Sequence, residues 1–217
     1  MNSPSDDELA VRLPRQQRSR QAWARILDAG VAIMEDVGYD AFTIAEVCER
    51  AEVAPRAVYE RVNTKDGLFL AVYEHKMQQV LADQSAAFHE TVWEGMTPQQ
   101  LIRGAIEGMV TVFTVHRAFL SSVILISGVH REVYRRGSLH ARNLGDQFTA
   151  ILMRGEVEIR HANPEAAIRM TFTSAFSSIV LRTSYGPGFF GPAVDDATFV
   201  SQLSDMADSY LLRYEDH

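Results

Sequence analysis

A helical hydrophobic period runs with few breaks from about residue 18 to the C-terminus, and it constrains this chain more than any other feature. Trp23, Leu27, Gly30, Met34 and Val37 recur at steps of three and four, the spacing of one helix face. Gly38 closes that helix, since glycine enters the left-handed conformation without steric cost. Thr43 opens a short second helix with Glu46 three residues on, the order of a capping box. Its apolar residues are Ile44, Val47, Cys48 and Ala51. Pro55 starts a short third helix, because proline has no N–H to lose at a first helical position. Ala57, Val58 and Val62 are its apolar residues. Asn63 and Thr64 interrupt the pattern, and Lys65-Asp66 begins a long fourth helix through Leu68, Phe69, Val72, Tyr73 and Val80.

Five further helical segments follow. Thr97-Pro98 is a cap and first-turn proline leading to about Val115. A short apolar segment spans Ala118 to Ser127. The next is expected from about Arg142 to Arg160, with Phe148, Ile151 and Leu152 inward and Gly155 as a weak point. Asn163-Pro164-Glu165 opens another, and Asp195-Asp196 precedes the last, which carries Phe199, Leu203, Met206, Ala207, Tyr210, Leu211 and Tyr214. The segment Tyr185 to Pro192, with three Gly and two Pro, is a loop. No strand-like alternation of useful length appears. The fold class expected is all-α, with about nine helices.

Charge and cysteine content narrow the function. The 217 residues carry a formal net charge of −7, so any nucleic-acid contact must come from a local basic patch. Such a patch exists: Arg12, Arg15, Arg18, Arg20 and Arg25 follow one another with no acid between Leu9 and Leu27. Taken alone, this run also fits a solvated tail. The single cysteine, Cys48, excludes an intramolecular disulfide and reads as core filler. No two histidines have the spacing of paired ligands on one helix, so no metal and no cofactor are expected. The acidic N-terminus lacks a secretion signal and the longest uncharged stretches are too short to cross a bilayer, so a cytoplasmic protein is expected. No nucleophile motif, phosphate-binding glycine loop or apolar carboxylate pair marks an enzyme.

The constellation that carries function is the pair of short helices joined by Glu52-Val53-Ala54. Two short amphipathic helices linked by three residues and preceded by another helix make a helix-turn-helix. In such a unit the second helix enters the major groove while the first crosses the DNA backbone. The stretches Gly38-Tyr39-Asp40-Ala41-Phe42-Thr43-Ile44, Ala51-Glu52-Val53-Ala54, Val58-Tyr59-Glu60-Arg61-Val62 and Lys65-Asp66-Gly67-Leu68 resemble the N-terminal domain of TetR-family transcriptional regulators. The resemblance covers about residues 18 to 75. Three positions depart from the family pattern. Glu52 stands where Gly is usual, at a cost of about 1–2 kcal/mol for a left-handed backbone. Ala54 stands where Ser is usual, losing a side-chain cap of ~1 kcal/mol. Arg61 stands where His or Tyr is common.

The resemblance implies a three-part chain: a basic arm over 1–17, a helix-turn-helix domain over 18–64, and an effector-binding and dimerisation domain over 65–217. By the same resemblance Thr43 and Lys65 hold phosphates, and Tyr59 reaches phosphate and a thymine methyl. Arg56, at the start of the recognition helix, is placed to read guanine. Pro55 and Ala57 are small enough to approach base edges, Arg61 adds charge near the phosphates, and Arg18 with the arm follows the backbone. Trp93, Glu107, Phe113, His116, Tyr134 and Phe148 are candidates to line an effector pocket; His116-Arg117 and His130-Arg131 each interrupt an apolar region and fit an anionic ligand, or equally caps or loop residues. Phe172, Phe176 and Ile179, with Leu203, Met206 and Tyr210, are candidates for a homodimer interface built as a four-helix bundle. The implied function is a ligand-responsive regulator, usually a repressor, binding a palindromic duplex operator as a dimer and released by a small-molecule effector. The alternative is a helical small-molecule binder or enzyme that keeps the helix-turn-helix only as scaffold.

Overall fold

The computed structural model describes residues 17–89, 93–154, 159–189 and 191–213. Among the described residues the regular structure is helical throughout: α1 (Gln17–Asp36), α2 (Ile44–Arg50), α3 (Pro55–Tyr59), α4 (Lys65–Ala87), α5 (Pro98–Val115), α6 (Arg117–Ser127), α7 (Arg131–Leu152), α8 (Pro164–Tyr185) and α9 (Asp196–Leu212). The chain divides into two compact units, one through Leu81 and one from Ala82. Most of α4 therefore groups with the first unit, whereas the sequence reading began the second domain at residue 65. Arg12, Arg15 and the rest of the arm up to residue 16, like Gly155 and Tyr214, lie outside the described residues. No single described helix is long and apolar enough to cross a membrane.

Start signals act where the sequence puts them. Thr43 Oγ1 accepts from the Glu46 amide at 3.1 Å. Thr97 and Gln100 complete a reciprocal capping box ahead of Pro98. The Asn163 side chain accepts from the Ala166 amide and that of Asp195 from the Thr198 amide, the latter at 2.7 Å. Each satisfies an N–H that the first helical turn leaves without an internal partner.

In the first unit α1 packs on α2 and α3, and α2 on α3. The core is Trp23, Ile26, Ile33, Met34, Phe42, Val47, Cys48, Val58, Val62, Leu68, Phe69 and Val72. Gly30 permits the close approach of α1 and α4, since a Cβ there would lie 2.4 Å from a Val72 methyl. Val37 departs from the expected apolar face. It lies beyond the last turn of α1 and is 61% exposed, because the chain turns away at Gly38 with φ +79°.

In the second unit α5 packs on α7, α8 and α9, and α6 on α7 and α8. Ile102, Ala105, Ile106, Met109, Leu144, Leu152, Ile168, Ala175, Ala207 and Leu211 lie in one buried cluster. The main error of the sequence reading is α7, which starts at Arg131 rather than about Arg142 and ends at Leu152 rather than Arg160. Its first half buries only Val133, so no apolar period marks it. Its support is polar: Glu132 pairs with Arg135 at 3.0 Å and Arg136 at 3.4 Å, and the neighbouring Arg135 holds the Glu132 carboxyl below its ordinary range. His130 caps the helix and His116 occupies the corner between α5 and α6. Both thus take the cap positions that the sequence left open.

Candidate nucleic-acid interface

The short third helix owes its position to burial on one side only. Val58 is fully buried, and Val47, Cys48 and Ala51 of the preceding helix and turn are buried with it. Burial holds the Cys48 thiol protonated by raising its pKa. On the opposite face Pro55 is exposed, the Arg56 side chain is 88% exposed and Tyr59 is 52% exposed. Ala57 is half-buried between these faces. A five-residue helix in isolation would not persist, so the buried Val58 side is what keeps Arg56 and Tyr59 outward.

The turn before α3 carries local strain. Glu52 has φ +53°, and it is the non-glycine with positive φ among the described residues. Ala54 occupies the cap of α3 with extended backbone and no side-chain hydrogen bond. Both departures noted in the sequence therefore have the consequence expected of them.

Neighbouring polar groups hold the flanks. Arg56 Nε donates to Glu60 Oε1 at 3.0 Å, an exposed i,i+4 pair that pre-extends the arginine along the helix surface. Lys65 Nζ sits 4.2 Å from the centre of the Tyr39 ring. The Tyr39 hydroxyl donates to Asp66 Oδ1 at 3.1 Å, and burial with that nearby carboxylate pushes the phenol up to about 12. Thr64 Oγ1 accepts from the Gly67 amide at 3.0 Å and so fixes the start of α4 beside Lys65. Arg18 lies exposed in the first turn of α1, so this helix takes in the end of the basic run. Arg61 behaves differently from the expectation. It is half-buried and donates to the Ser19 hydroxyl on α1, which ties its charge to that helix. Ser19 and Tyr39 are the positioning residues that sequence reasoning missed. Tyr39 stands inside a recognised stretch, but nothing in the sequence links Ser19 to a residue 42 positions away.

Residues 26–72 match the family model described as bacterial regulatory proteins, tetR family. That stretch, from within α1 through the helix-turn-helix into α4, is what the chain shares with the family. The A-factor receptor protein of Streptomyces griseus is 26% identical over 83 residues, which are 38% of this chain and 30% of that protein. The match thus spans less than a third of that relative's length. Among solved structures, a TetR-family protein of Mesorhizobium loti superposes with a TM-score of 0.70 at 16% identity, covering 93% of this chain and all of that one. A tetR-family regulatory protein of Rhodococcus gives 0.66 at 20% identity over 88% of this chain and 96% of that one. At such identities the likeness is one of fold.

Of the six residues expected to line an effector pocket, Trp93, Phe113 and Phe148 lie in or against one core cluster, while Glu107 and Tyr134 do not join it. Trp93 and Phe148 are buried in the core of the second unit, Trp93 against Phe88 and Phe148 against Phe172 at 5.6 Å. Phe113 packs edge-on to Phe176, also at 5.6 Å. His116 is buried at its helix corner with Nε2 2.8 Å from Asp83. Glu107 and Tyr134 face outward. Aromatic size decides the first three: large rings stay where the inter-helix space is deepest. The six candidate interface residues also separate. Ile179 and Leu203 are buried within their own chain, and Phe172 and Phe176 are half-buried, stacked at 5.2 Å against that same core. Met206 and Tyr210 are exposed, as is Met170. The ring of His161 lies 4.5 Å from that of Tyr210, and His161 Nε2 donates to the Tyr210 carbonyl at 2.6 Å.

Proposed function

We propose that this chain is a ligand-responsive transcriptional regulator that binds a palindromic duplex operator as a homodimer. The observation that carries the reading is the two-sided character of α3: Val58 is sealed into the core while Pro55, Arg56 and Tyr59 stand outward together. An outward arginine in the first turn of a recognition helix is placed to donate two hydrogen bonds to guanine in the major groove. Thr43 and Lys65 flank it as phosphate contacts, with Ala57 close to the bases. Arg18 and the basic run extend along the backbone. Arg61 supports α1 through Ser19 and lends its charge from there. A relative named as a receptor supports a small-molecule effector, whose loss or gain acts by binding one conformation better than the other. The outward Met170, Met206 and Tyr210 of α8 and α9 support pairing of two chains through those helices. Repression is the sign of regulation the family resemblance implies.

The test is binding-site selection on random duplex DNA with the full chain, followed by affinity measurement across a salt series. A selected palindrome whose affinity falls steeply with salt is the expected result. Enrichment of no sequence, at low ionic strength as well, overturns the reading.

A further inference from the structure

A cleft of about 320 Å3 opens in the second unit between the end of α8, the turn after it and the start of α9. Its walls include Arg182, Phe189, Pro192, Val194 and Phe199, with Ser178 and Gln202 supplying polar atoms. A much smaller hollow of about 20 Å3 shares Arg182 and Phe199 with it and is lined on its far side by Thr114, Arg117 and Asp196. The volume sits at the small end of ligand sites and suits a single ring with a short side chain.

The charged groups around this cleft differ in how far they are engaged. Asp196 is fully engaged: Arg182 Nη2 donates to its Oδ1 at 2.7 Å and Thr114 Oγ1 to its Oδ2 at 2.9 Å. Arg182 also donates to the Val194 carbonyl at 2.7 Å and lies 4.6 Å over the Phe199 ring. Asp195 is committed to the Thr198 amide as the cap of α9. Arg117 is left over. Its Nη2 passes 3.4 Å from the place a Cβ on Gly186 would take, and Gly186, with φ +91°, is itself part of the cleft wall. It is exposed and makes no hydrogen bond or ion pair of its own among the described residues, acting on Asp196 only through space. One guanidinium without a hydrogen bond therefore stands beside a largely apolar cleft whose other charged groups, Arg182, Asp195 and Asp196, already have hydrogen-bond partners.

We infer that this cleft binds a small organic carboxylate with a flat apolar body, its anion held by Arg117 and its ring between Phe189, Pro192 and Phe199. The inference rests on the ligand-responsive reading above and gives the effector a chemical class and a place. Arg182 and Asp196 act as the rigid floor, since their geometry is already satisfied without ligand. A neutral ligand of the same shape would fill the apolar walls but leave Arg117 unmatched, so charge should separate the two.

Calorimetric titration of the full chain with phenylacetate and with phenylacetamide tests this, on the parent protein and on Arg117→Gln. Arg117 is exposed, so the variant retains its fold, which circular dichroism checks. Saturable phenylacetate binding at one site per chain is expected, about tenfold or more weaker for the amide and for Arg117→Gln with the acid. No saturable phenylacetate binding, equal binding of the amide, or unchanged affinity in Arg117→Gln each overturns the assignment. Duplex binding by the same preparation is measured separately, so loss of the regulator reading would show as absent DNA binding whatever the titration gives.

Discussion

Replacing Glu52 by glycine should stabilise the helix-turn-helix. Glu52 is held at φ +53°, where a Cβ crowds the following carbonyl at a cost of about 1–2 kcal/mol. Glycine removes that cost but loses roughly 0.4–1 kcal/mol more backbone entropy on folding. The net expectation is a gain of about 0.5–1 kcal/mol. Each kcal/mol raises the melting midpoint by about 4–8 °C for a unit of 60–100 residues melting alone, and by about 2–4 °C for a chain of 150–250 residues melting as one. The chain has two tryptophans, and Trp23 is buried in the first unit, so its fluorescence in a Trp93→Phe background reports the relevant melting. Glu52→Ala is the decisive control, because it removes the carboxylate and keeps the Cβ. A midpoint that rises with Gly and stays near the parent with Ala supports strain as the cause. An equal rise in both variants assigns the effect to charge, and a fall with Gly refutes the reasoning.

Arg56→Ala should weaken operator binding by about 1–3 kcal/mol and relax preference at one base pair; an equal loss on every sequence would make Arg56 a phosphate contact. Gly30→Ala should lower unfolding stability by about 1–2 kcal/mol in denaturant titration, since the new methyl meets the stiff Val72 side chain at 2.4 Å and the overpacking exceeds the gain in helix propensity. Gly137→Ala, with open space around it on α7, should instead raise stability by about 0.5–1 kcal/mol, and a fall there would contradict the packing account. The Asp196 carboxyl lies below its ordinary pKa, chiefly through the Arg182 hydrogen bond, so it contributes stability that is present above about pH 4 and lost as pH falls through its folded value. Because Asp196 is partly exposed, solvent screens this contribution, and Asp196→Asn should flatten only part of the acid limb of a stability–pH curve.

Local chemistry was legible from residue order alone wherever a side chain acts within one helical turn. The caps at Thr43, Thr97, Asn163 and Asp195 and the first-turn prolines Pro55, Pro98 and Pro164 involve partners about three positions away, so spacing contains the whole interaction. The helix-turn-helix was legible for the same reason: three short helices, a three-residue link and a run of recognisable residues sit within one stretch of chain. The strained turn at Glu52 could even be anticipated from the absence of the usual glycine.

Tertiary structure decided everything that depends on residues distant in sequence. The polar first half of α7 is a helix because Val133 reaches the core and the Glu132 pairs support it, and neither leaves a hydrophobic period to read. Trp93, Phe113 and Phe148 were indistinguishable from ligand contacts on paper, since a ring beside another helix and a ring beside an effector obey the same spacing. Only the packing of α5, α7 and α8 put Phe113 and Phe148 against Phe176 and Phe172. The pairing of Arg61 with Ser19 and the leftover charge of Arg117 likewise follow from which surfaces meet. Periodicity gives each residue a face of its own helix; what that face touches is set by the balance of packing and charge in the assembled chain.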